Sequence, residues 1–242
     1  MNILCIGNSF SVDATKYLHN IARADGKEIN ITDLYIGGCS LERHYRNMLS
    51  EKAAYALDIN GNLTSFTVSL KDALLNQSWD FITIQQVSHC APYYESYQPY
   101  LNELCSYVKK CAPKAKLLIH QTWAYEEGCR RLTEELGYKT RADMFADIES
   151  SYKKAKEETG AELIIPSGAV FQELIKAGIT QVHRDTFHAS LGIGRYALGL
   201  LWYRVLTGAD VTKNTFSDFD EEIPAETVKK IKECVMKTKI SD

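Results

Sequence analysis

Two hydrophobic patterns alternate along the chain. Short apolar runs predict buried strands over residues 3–6, 79–84, 116–120 and 161–165, and the alternation of apolar and polar residues over 29–36 predicts a further strand. Between these runs, apolar residues such as Tyr17, Leu18 and Ile21 recur every three or four positions, which predicts amphipathic helices. Such alternation is typical of a parallel sheet covered by helices on both faces. We therefore expect a single α/β domain over residues 1–242, a three-layer α/β/α sandwich on about five parallel strands.

Three segments depart from this alternation. Residues 54–70 predict two short strands joined by Asn60-Gly61, a pair typical of a tight hairpin, and we expect this hairpin to leave the sheet. Residues 125–139 are polar and predict an insertion or lid. The tail after Asp218 predicts a surface helix without chemistry of its own.

Composition restricts the class of partner. The 28 Lys and Arg against 31 Asp and Glu give a formal charge of -3, and the basic residues are scattered, which argues against nucleic acid or an anionic membrane surface as partner. No stretch reaches the roughly 18 to 20 apolar residues of a spanning helix. A signal peptide is not recognisable, which predicts a cytoplasmic protein; the alternative is a secreted or periplasmic protein whose leader was removed. The seven cysteines contain no CxxC pair, which predicts reduced thiols.

Ser9 is the first candidate for chemistry. In a parallel sheet with right-handed crossovers, the loops after all strands lie at one edge, and Ser9 follows the first strand by two residues, within GNSFS. A serine at this place is a nucleophile if a base lies nearby. The alternative interpretation is that Ser9 or Ser11 only caps the helix that follows.

The candidate base is His188, which two residues separate from Asp185 in VHRDTFHASLGIG. One turn can bring the carboxylate against one imidazole nitrogen and leave the other facing outward, as in a Ser-His-Asp triad. Two alternatives are a helix cap at Asp185 with a structural histidine, or a metal site that includes His183. The sequence has no second cluster of His, Cys or carboxylate residues with ligand spacing, which argues against a metal site.

Two further loops carry candidate hydrogen-bond donors. Gly37-Gly38 ends the second strand, and glycine lets a backbone N–H approach a ligand closely, although a double glycine can also be a simple turn. Gln85-Gln86 ends the third strand, where a side-chain amide either supplies another donor or caps the strand in solvent.

Taken in order, these features resemble the four blocks of the SGNH or GDSL hydrolase superfamily. The segments GNSFS, GGCSLERH, DFITIQQVSH, QTWAY and DTFHASLGIGRYALG are most similar to a bacterial branch whose members are mostly uncharacterised. The resemblance extends from residue 3 to about residue 206 and implies the SGNH hydrolase fold, with a flavodoxin-like sheet.

The resemblance also implies roles for individual residues. Ser9 would be the nucleophile, His188 its general base and then acid, and Asp185 the residue that orients His188. The oxyanion would bind the backbone N–H groups of Ser9 and Gly38 and an amide of the third block, for which Gln86 is favoured and Gln85 is the alternative. Asn8 replaces the usual aspartate of the first block, and the asparagine expected in the third block is absent.

The implied activity is that of a serine esterase without metal or cofactor. Aromatic residues near the predicted site suit a sugar ring, so the expected substrate is a carbohydrate that carries acetyl or other small acyl groups; the residues expected to bind it are Tyr93, Tyr94 and Trp123. Alternatively, these aromatics form a lid over the core. An inactive glycan- or protein-binding module with the same fold is the second functional hypothesis. A flavodoxin-like nucleotide binder is disfavoured because the first loop lacks a phosphate cradle.

Overall fold

A computed structural model describes residues 1–240, and its centre is a sheet of seven strands. The strands are β1 (Asn2–Gly7), β2 (Asn30–Tyr35), β3 (Tyr55–Ile59), β4 (Asn62–Val68), β5 (Phe81–Ile84), β6 (Lys116–Gln121) and β7 (Leu163–Pro166). Their order across the sheet is β4-β3-β2-β1-β5-β6-β7. The pairs among β2, β1, β5, β6 and β7 are all parallel, so the five predicted parallel strands are confirmed and form the core of the sheet.

The predicted hairpin exists, but its predicted position is wrong. Asn60 and Gly61 both have positive φ (52° and 79°), as a two-residue hairpin turn requires. The hairpin does not leave the sheet, because β3 pairs antiparallel with β2 from Thr32 opposite Ile59 to Tyr35 opposite Ala56. The free edge of β2 is thereby covered, and the sheet has seven strands rather than about five.

Helices flank the sheet in two groups. They are α1 (Ser9–Thr15), α2 (Leu18–Ala24), α3 (Leu41–Ser50), α4 (Leu70–Leu75), α5 (Tyr100–Cys111), α6 (Arg141–Thr159), α7 (Ser167–Lys176), α8 (Ile193–Thr207) and α9 (Ala225–Lys237). The first group contains α1, α2, α7, α8 and α9, and the second contains α3 to α6. None of the helices described for residues 1–240 has the length and apolarity that crossing a membrane requires.

Local sequence explains where several of these helices begin and end. Ser40, Ser69 and Thr140 each accept a backbone N–H of the first turn, at the starts of α3, α4 and α6. Gly160 and Gly208 end α6 and α8 in the left-handed conformation that favours glycine. The helix predicted around residues 14–22 is interrupted at Lys16 and Tyr17, which leaves the short α1 with Ser9 at its start.

The parallel strands determine where the candidate residues collect. Gly7, Ile84, Gln121 and Pro166 all stand at the carboxyl ends of strands in one parallel register. The loops that follow β1, β2 and β5 therefore meet at one edge of the sheet, above the strand ends.

Candidate active site

Ser9 lies at the first position of α1, directly after β1. Asn8 is the cap: its Oδ1 accepts the N–H of Phe10 at 3.0 Å, and its Nδ2 donates to the carbonyl of Cys39 at 3.0 Å. Asn8 therefore ties the serine loop to the loop that contains Gly37 and Gly38. The N–H of Ser9 is one of the first N–H groups of the helix, which have no acceptor within it.

The close approach of α1 to the neighbouring strand depends on Gly7. A Cβ at this position would lie 2.6 Å from Cβ of Ser11 and 2.8 Å from Oε1 of Gln85, so any larger residue would displace one of them. Phe10 anchors the other side of the helix start, because it is buried and stacks on Trp123 with ring centroids 4.2 Å apart. Tight packing on both sides of the start of α1 thus fixes Ser9 at the edge of the sheet.

Asp185 and His188 form the two ends of a tight turn. Thr186 has a positive φ of 75°, which bends the chain so that Asp185 Oδ1 accepts the N–H of His188 at 2.8 Å. The second carboxylate oxygen accepts Nδ1–H of the His188 ring at 2.7 Å. Burial raises the pKa of the Asp185 carboxyl, but the hydrogen bonds and charge of His188 outweigh burial, so the pKa lies below its usual value.

Ser9 and His188 are in hydrogen-bond contact although 179 positions separate them. The Ser9 Oγ lies 2.8 Å from Nε2 of His188, the ring nitrogen that does not face Asp185. With Nδ1 protonated and bonded to Asp185, Nε2 is the acceptor that can take the Ser9 proton. The arrangement can therefore generate a serine nucleophile next to an imidazole whose orientation Asp185 fixes.

A cavity of about 450 Å³ opens beside this pair. Besides Ser9 and His188, its walls contain Asn8, Phe10, Tyr35, Gly37, Gly38, Val87, Ser88, His89, Arg131, Arg184 and Phe187. Gly38 has a φ of 60° in the left-handed region, and within residues 1–240 no acceptor bonds its N–H. The N–H groups of Ser9 and Gly38 are thus both available to an oxyanion formed at Ser9.

Gln86 was predicted to donate a side-chain N–H to the oxyanion, and the contacts of its side chain do not fit this role. Oε1 accepts the N–H groups of Leu41 and Val87 at 3.0 and 2.9 Å, and Nε2 donates to the carbonyl and hydroxyl of Ser96 at 3.0 Å. Gln86 is 1 % exposed and outside the cavity wall. Its amide joins the β5 end to two neighbouring segments, so it has no donor left for an oxyanion.

The alternative donor, Gln85, is also engaged. Its Nε2 donates to Oδ1 of Asn8 at 3.1 Å, and the side chain is buried behind the serine loop. Gln85 therefore supports the cap of α1 and does not line the cavity.

The three aromatic residues predicted to bind substrate also lie outside the cavity wall. Trp123 is fully buried beneath Phe10, and its indole N–H donates to the carbonyl of Phe187 at 2.8 Å. Tyr94 stacks on Tyr97, and the ammonium of Lys154 covers its ring. Tyr93 is exposed and donates to the carbonyl of Leu136, within the predicted insertion. The tyrosine-rich loop thus packs on other segments.

Sequence reasoning missed His89, Arg131 and Phe187 as cavity residues. His89 follows the strand-end glutamines by three positions, so a search of the whole loop for side-chain donors would have included it. Burial and the nearby Arg131 guanidinium lower the pKa of His89, which favours the neutral imidazole with one N–H donor. Phe187 lies inside the predicted Asp-x-x-His turn, whereas nothing in the sequence distinguishes Arg131 from its neighbour Arg130. Across residues 1–240, no three His, Cys, Asp or Glu side chains are grouped to hold a metal ion.

Comparison with solved structures shows the same fold in several proteins. A DUF4886 family protein from Bacteroides uniformis is 34% identical and superposes with a TM-score of 0.91 over 97% of this chain and 93% of its own. A candidate SGNH hydrolase from Slackia heliotrinireducens is 26% identical, with a TM-score of 0.61 over 85% and 98% of the two chains. The acetylxylan esterase Axe2 from Geobacillus stearothermophilus is 16% identical, with a TM-score of 0.53 over 85% and 91%, and shares the fold.

Sequence comparison assigns the family. A search of curated proteins finds no match, whereas the model of the family described as a domain of unknown function, DUF4886, matches residues 2–234. The resemblance to SGNH and GDSL hydrolases is confirmed by the fold and by these structural neighbours. The chain belongs to the DUF4886 family and has the SGNH hydrolase fold.

Proposed function

We propose that this protein is a serine hydrolase of carboxylic esters. Ser9 is the nucleophile, His188 is the general base and then acid, and Asp185 orients His188. One observation carries the proposal: Ser9 Oγ lies 2.8 Å from His188 Nε2, while His188 Nδ1 lies 2.7 Å from the Asp185 carboxylate. This is the geometry by which a neutral hydroxyl becomes a nucleophile at ordinary pH.

The reaction then follows in two steps. Ser9 Oγ bonds to the ester carbonyl carbon as its proton passes to His188 Nε2, and Asp185 stabilises the resulting imidazolium. Collapse of the tetrahedral intermediate breaks the bond to the alcohol oxygen, which takes the proton from His188. Water attacks the acyl-enzyme with the same assistance and releases the carboxylic acid and Ser9.

Three donors are proposed for the oxyanion. The backbone N–H groups of Ser9 and Gly38 are the first two, as the superfamily resemblance implies. We assign the third to His89, because its side chain lines the cavity and Gln85 and Gln86 do not. A neutral His89 offers one N–H and has no hydrogen-bond partner among residues 1–240, so donation costs no existing bond.

The proposed substrate carries an acetyl or another small acyl group on a carbohydrate. A cavity of about 450 Å³ is at the lower end of the range for small-molecule sites, which suits a short acyl chain and one ring. Tyr35 contributes an aromatic ring to its wall, where a sugar ring can pack. Acetylxylan esterase is among the proteins that share the fold.

Hydrolysis of p-nitrophenyl acetate tests the proposal. We expect turnover by the wild type and loss of it in Ser9→Ala and His188→Ala, with Ser106→Ala as a matched control. Ser106 is exposed on α5, and its hydroxyl bonds only within the helix. Labelling by a fluorophosphonate, read as a mass increase on the peptide that contains Ser9, identifies the nucleophile independently.

The second candidate function, an inactive binding module, predicts the opposite outcome. Hydrolysis that persists in both Ser9→Ala and His188→Ala, or no hydrolysis and no labelling in the wild type, would exclude the esterase and leave the binding module. Circular dichroism of each variant shows whether the fold is retained.

A further inference from the structure

Arg131 is a cation of the cavity wall without an acidic partner. It lies between β6 and α6, and its guanidinium carbon sits 4.0 Å from the centre of the Phe187 ring. In the part of the chain that the structure describes, Arg131 has no carboxylate within ion-pair distance. The adjacent Arg130 differs, because it pairs with Glu134 and Glu135 at 3.3 and 3.7 Å and is not among the residues that line the cavity.

The other charges around the cavity are compensated. Arg184 also lines it, but its guanidinium is 2.9 Å from the buried carboxylate of Asp13. Asp185 lies behind His188 and bonds to its ring. None of the residues that line the cavity is an Asp or a Glu. The uncompensated charge in this wall is therefore the positive charge of Arg131.

The ring of Phe187 holds this charge in place. Phe187 packs against Arg131 on one side, and its centroid lies 4.0 Å from that of His188. The guanidinium also lies near the Tyr125 hydroxyl, whose pKa is raised by burial and lowered to a lesser extent by this charge. A guanidinium that lies over a ring keeps its N–H groups at its edge, where they can reach an acceptor. The cationic edge thus lies one aromatic ring away from the proposed catalytic imidazole.

We propose that Arg131 binds an anionic group of the ester substrate, a carboxylate, phosphate or sulfate carried next to the ester bond. This inference rests on the proposed function and names its substrate class as anionic esters. The anion can belong to the alcohol, as in an acylated acidic sugar, or to the acyl chain. Both present the same planar or trigonal oxygens to the guanidinium.

Two matched pairs of esters test the proposal. The first pair is 4-acetoxybenzoate and its methyl ester, which differ by a charge on the alcohol. The second is p-nitrophenyl hemisuccinate and p-nitrophenyl methyl succinate, which differ by a charge on the acyl chain. For each pair, the charge selectivity is the ratio of kcat/KM for the anionic ester to that for the neutral one.

Arg131→Gln should lower the charge selectivity of at least one pair about tenfold, the loss expected for one hydrogen bond to a charged group. Arg131→Lys should restore only part of it, because lysine keeps the charge but not the planar guanidinium. The neighbouring Arg130→Gln should change it by less than about twofold, as an exposed ion pair predicts. The wild-type selectivity should also decrease as salt is added. The pair that responds identifies the part of the ester that carries the anion.

Equal charge selectivity in wild type and Arg131→Gln for both pairs would overturn the inference and leave the esterase proposal standing. If instead hydrolysis of the neutral esters does not depend on Ser9, the esterase proposal fails. Calorimetry then tests the anion site separately: in a Ser9→Ala background, 4-acetoxybenzoate should bind more tightly than its methyl ester, and Arg131→Gln should remove the difference. No difference in binding would overturn the anion site.

Discussion

Asp13 and Arg184 join the helix that begins at Ser9 to the turn that carries Asp185 and His188. Both carboxylate oxygens of Asp13 accept from Nη1 of Arg184, at 3.0 and 2.9 Å. Oδ2 also accepts the N–H of Ala189 at 3.2 Å. One carboxylate, 1 % exposed, therefore holds both ends of the turn against α1.

The first prediction concerns this clamp. Asp13→Asn leaves Arg184 and Arg195 without their buried charge partner, so the free energy of unfolding should fall by about 3 kcal/mol. The kcat for p-nitrophenyl acetate should fall as well, because the turn is no longer held at Ser9. Urea denaturation and turnover well below the unfolding transition measure the two effects.

Asp220→Asn is the matched control for Asp13→Asn. Asp220 pairs with the same Arg195 but is partly exposed, so its loss should cost less than about 1 kcal/mol and leave kcat unchanged. A stability loss in Asp13→Asn without any change in kcat would show that the clamp supports the fold and not the geometry of the site.

The second prediction concerns the orientation of His188. In Asp185→Asn, an amide N–H would face Nδ1 and favour the tautomer whose Nε2 carries the proton and cannot accept from Ser9. We expect kcat to fall on the order of 10³- to 10⁴-fold, while KM changes little. Stopped assays across pH measure this effect, and a variant that retains a tenth of the wild-type kcat would contradict the role of Asp185.

The third prediction distinguishes His89 from Gln86 as donor to the oxyanion. His89→Ala should lower kcat on the order of 10²-fold with little loss of stability, because the side chain is exposed and otherwise unbonded. His89→Asn should recover part of kcat, since an amide N–H can replace the imidazole N–H.

Gln86→Ala should behave in the opposite way. It leaves the buried N–H groups of Leu41 and Val87 without their acceptor, which should lower the free energy of unfolding by about 1–3 kcal/mol. Its kcat, measured well below the unfolding transition, should fall far less than that of His89→Ala. A larger fall in kcat for Gln86→Ala would return the oxyanion role to Gln86.

The fourth prediction concerns pH and a buried carboxyl beneath α1. Asp33 is 1 % exposed and accepts the hydroxyls of Ser11 and Thr15, the latter at 2.7 Å. Burial raises its pKa to about 7, against the lowering effect of these hydrogen bonds. Between 3.8, the ordinary pKa of an aspartate, and about 7, the folded state therefore binds more protons than the unfolded state.

The sign of the pH effect follows from this difference. The contribution of Asp33 to the free energy of unfolding should decrease as pH rises through that window, by at most about 1.4 kcal/mol per pH unit. In Asp33→Asn this contribution is absent. The free energy of unfolding of the variant, relative to that of the wild type, should therefore increase from pH 4 to pH 8 in urea denaturation. Parallel pH profiles of the two proteins would contradict the assignment.

The sequence by itself predicted the features that depend on short stretches of chain. Short apolar runs mark four of the five parallel strands, the alternation over residues 29–36 marks the fifth, and Asn60-Gly61 marks the hairpin turn. The Asp-x-x-His spacing predicted that Asp185 would reach the ring of His188, because three residues span only one turn. The strand-edge rule placed Ser9 at this edge, whereas the pairing of Ser9 with His188 was implied by the resemblance to SGNH hydrolases, because His188 follows α7 and not a strand.

Only the tertiary structure decided how polar and aromatic side chains at that edge are used. The Gln86 side chain is fully hydrogen-bonded to two other segments, and Trp123 is covered by Phe10. His89 and Arg131, in contrast, line the cavity. The hairpin joined the sheet because β2 had a free edge to pair. Periodicity reports which face of an element is apolar, but the hydrogen-bond partner of each side chain depends on segments far away in sequence, and these meet only in the folded chain.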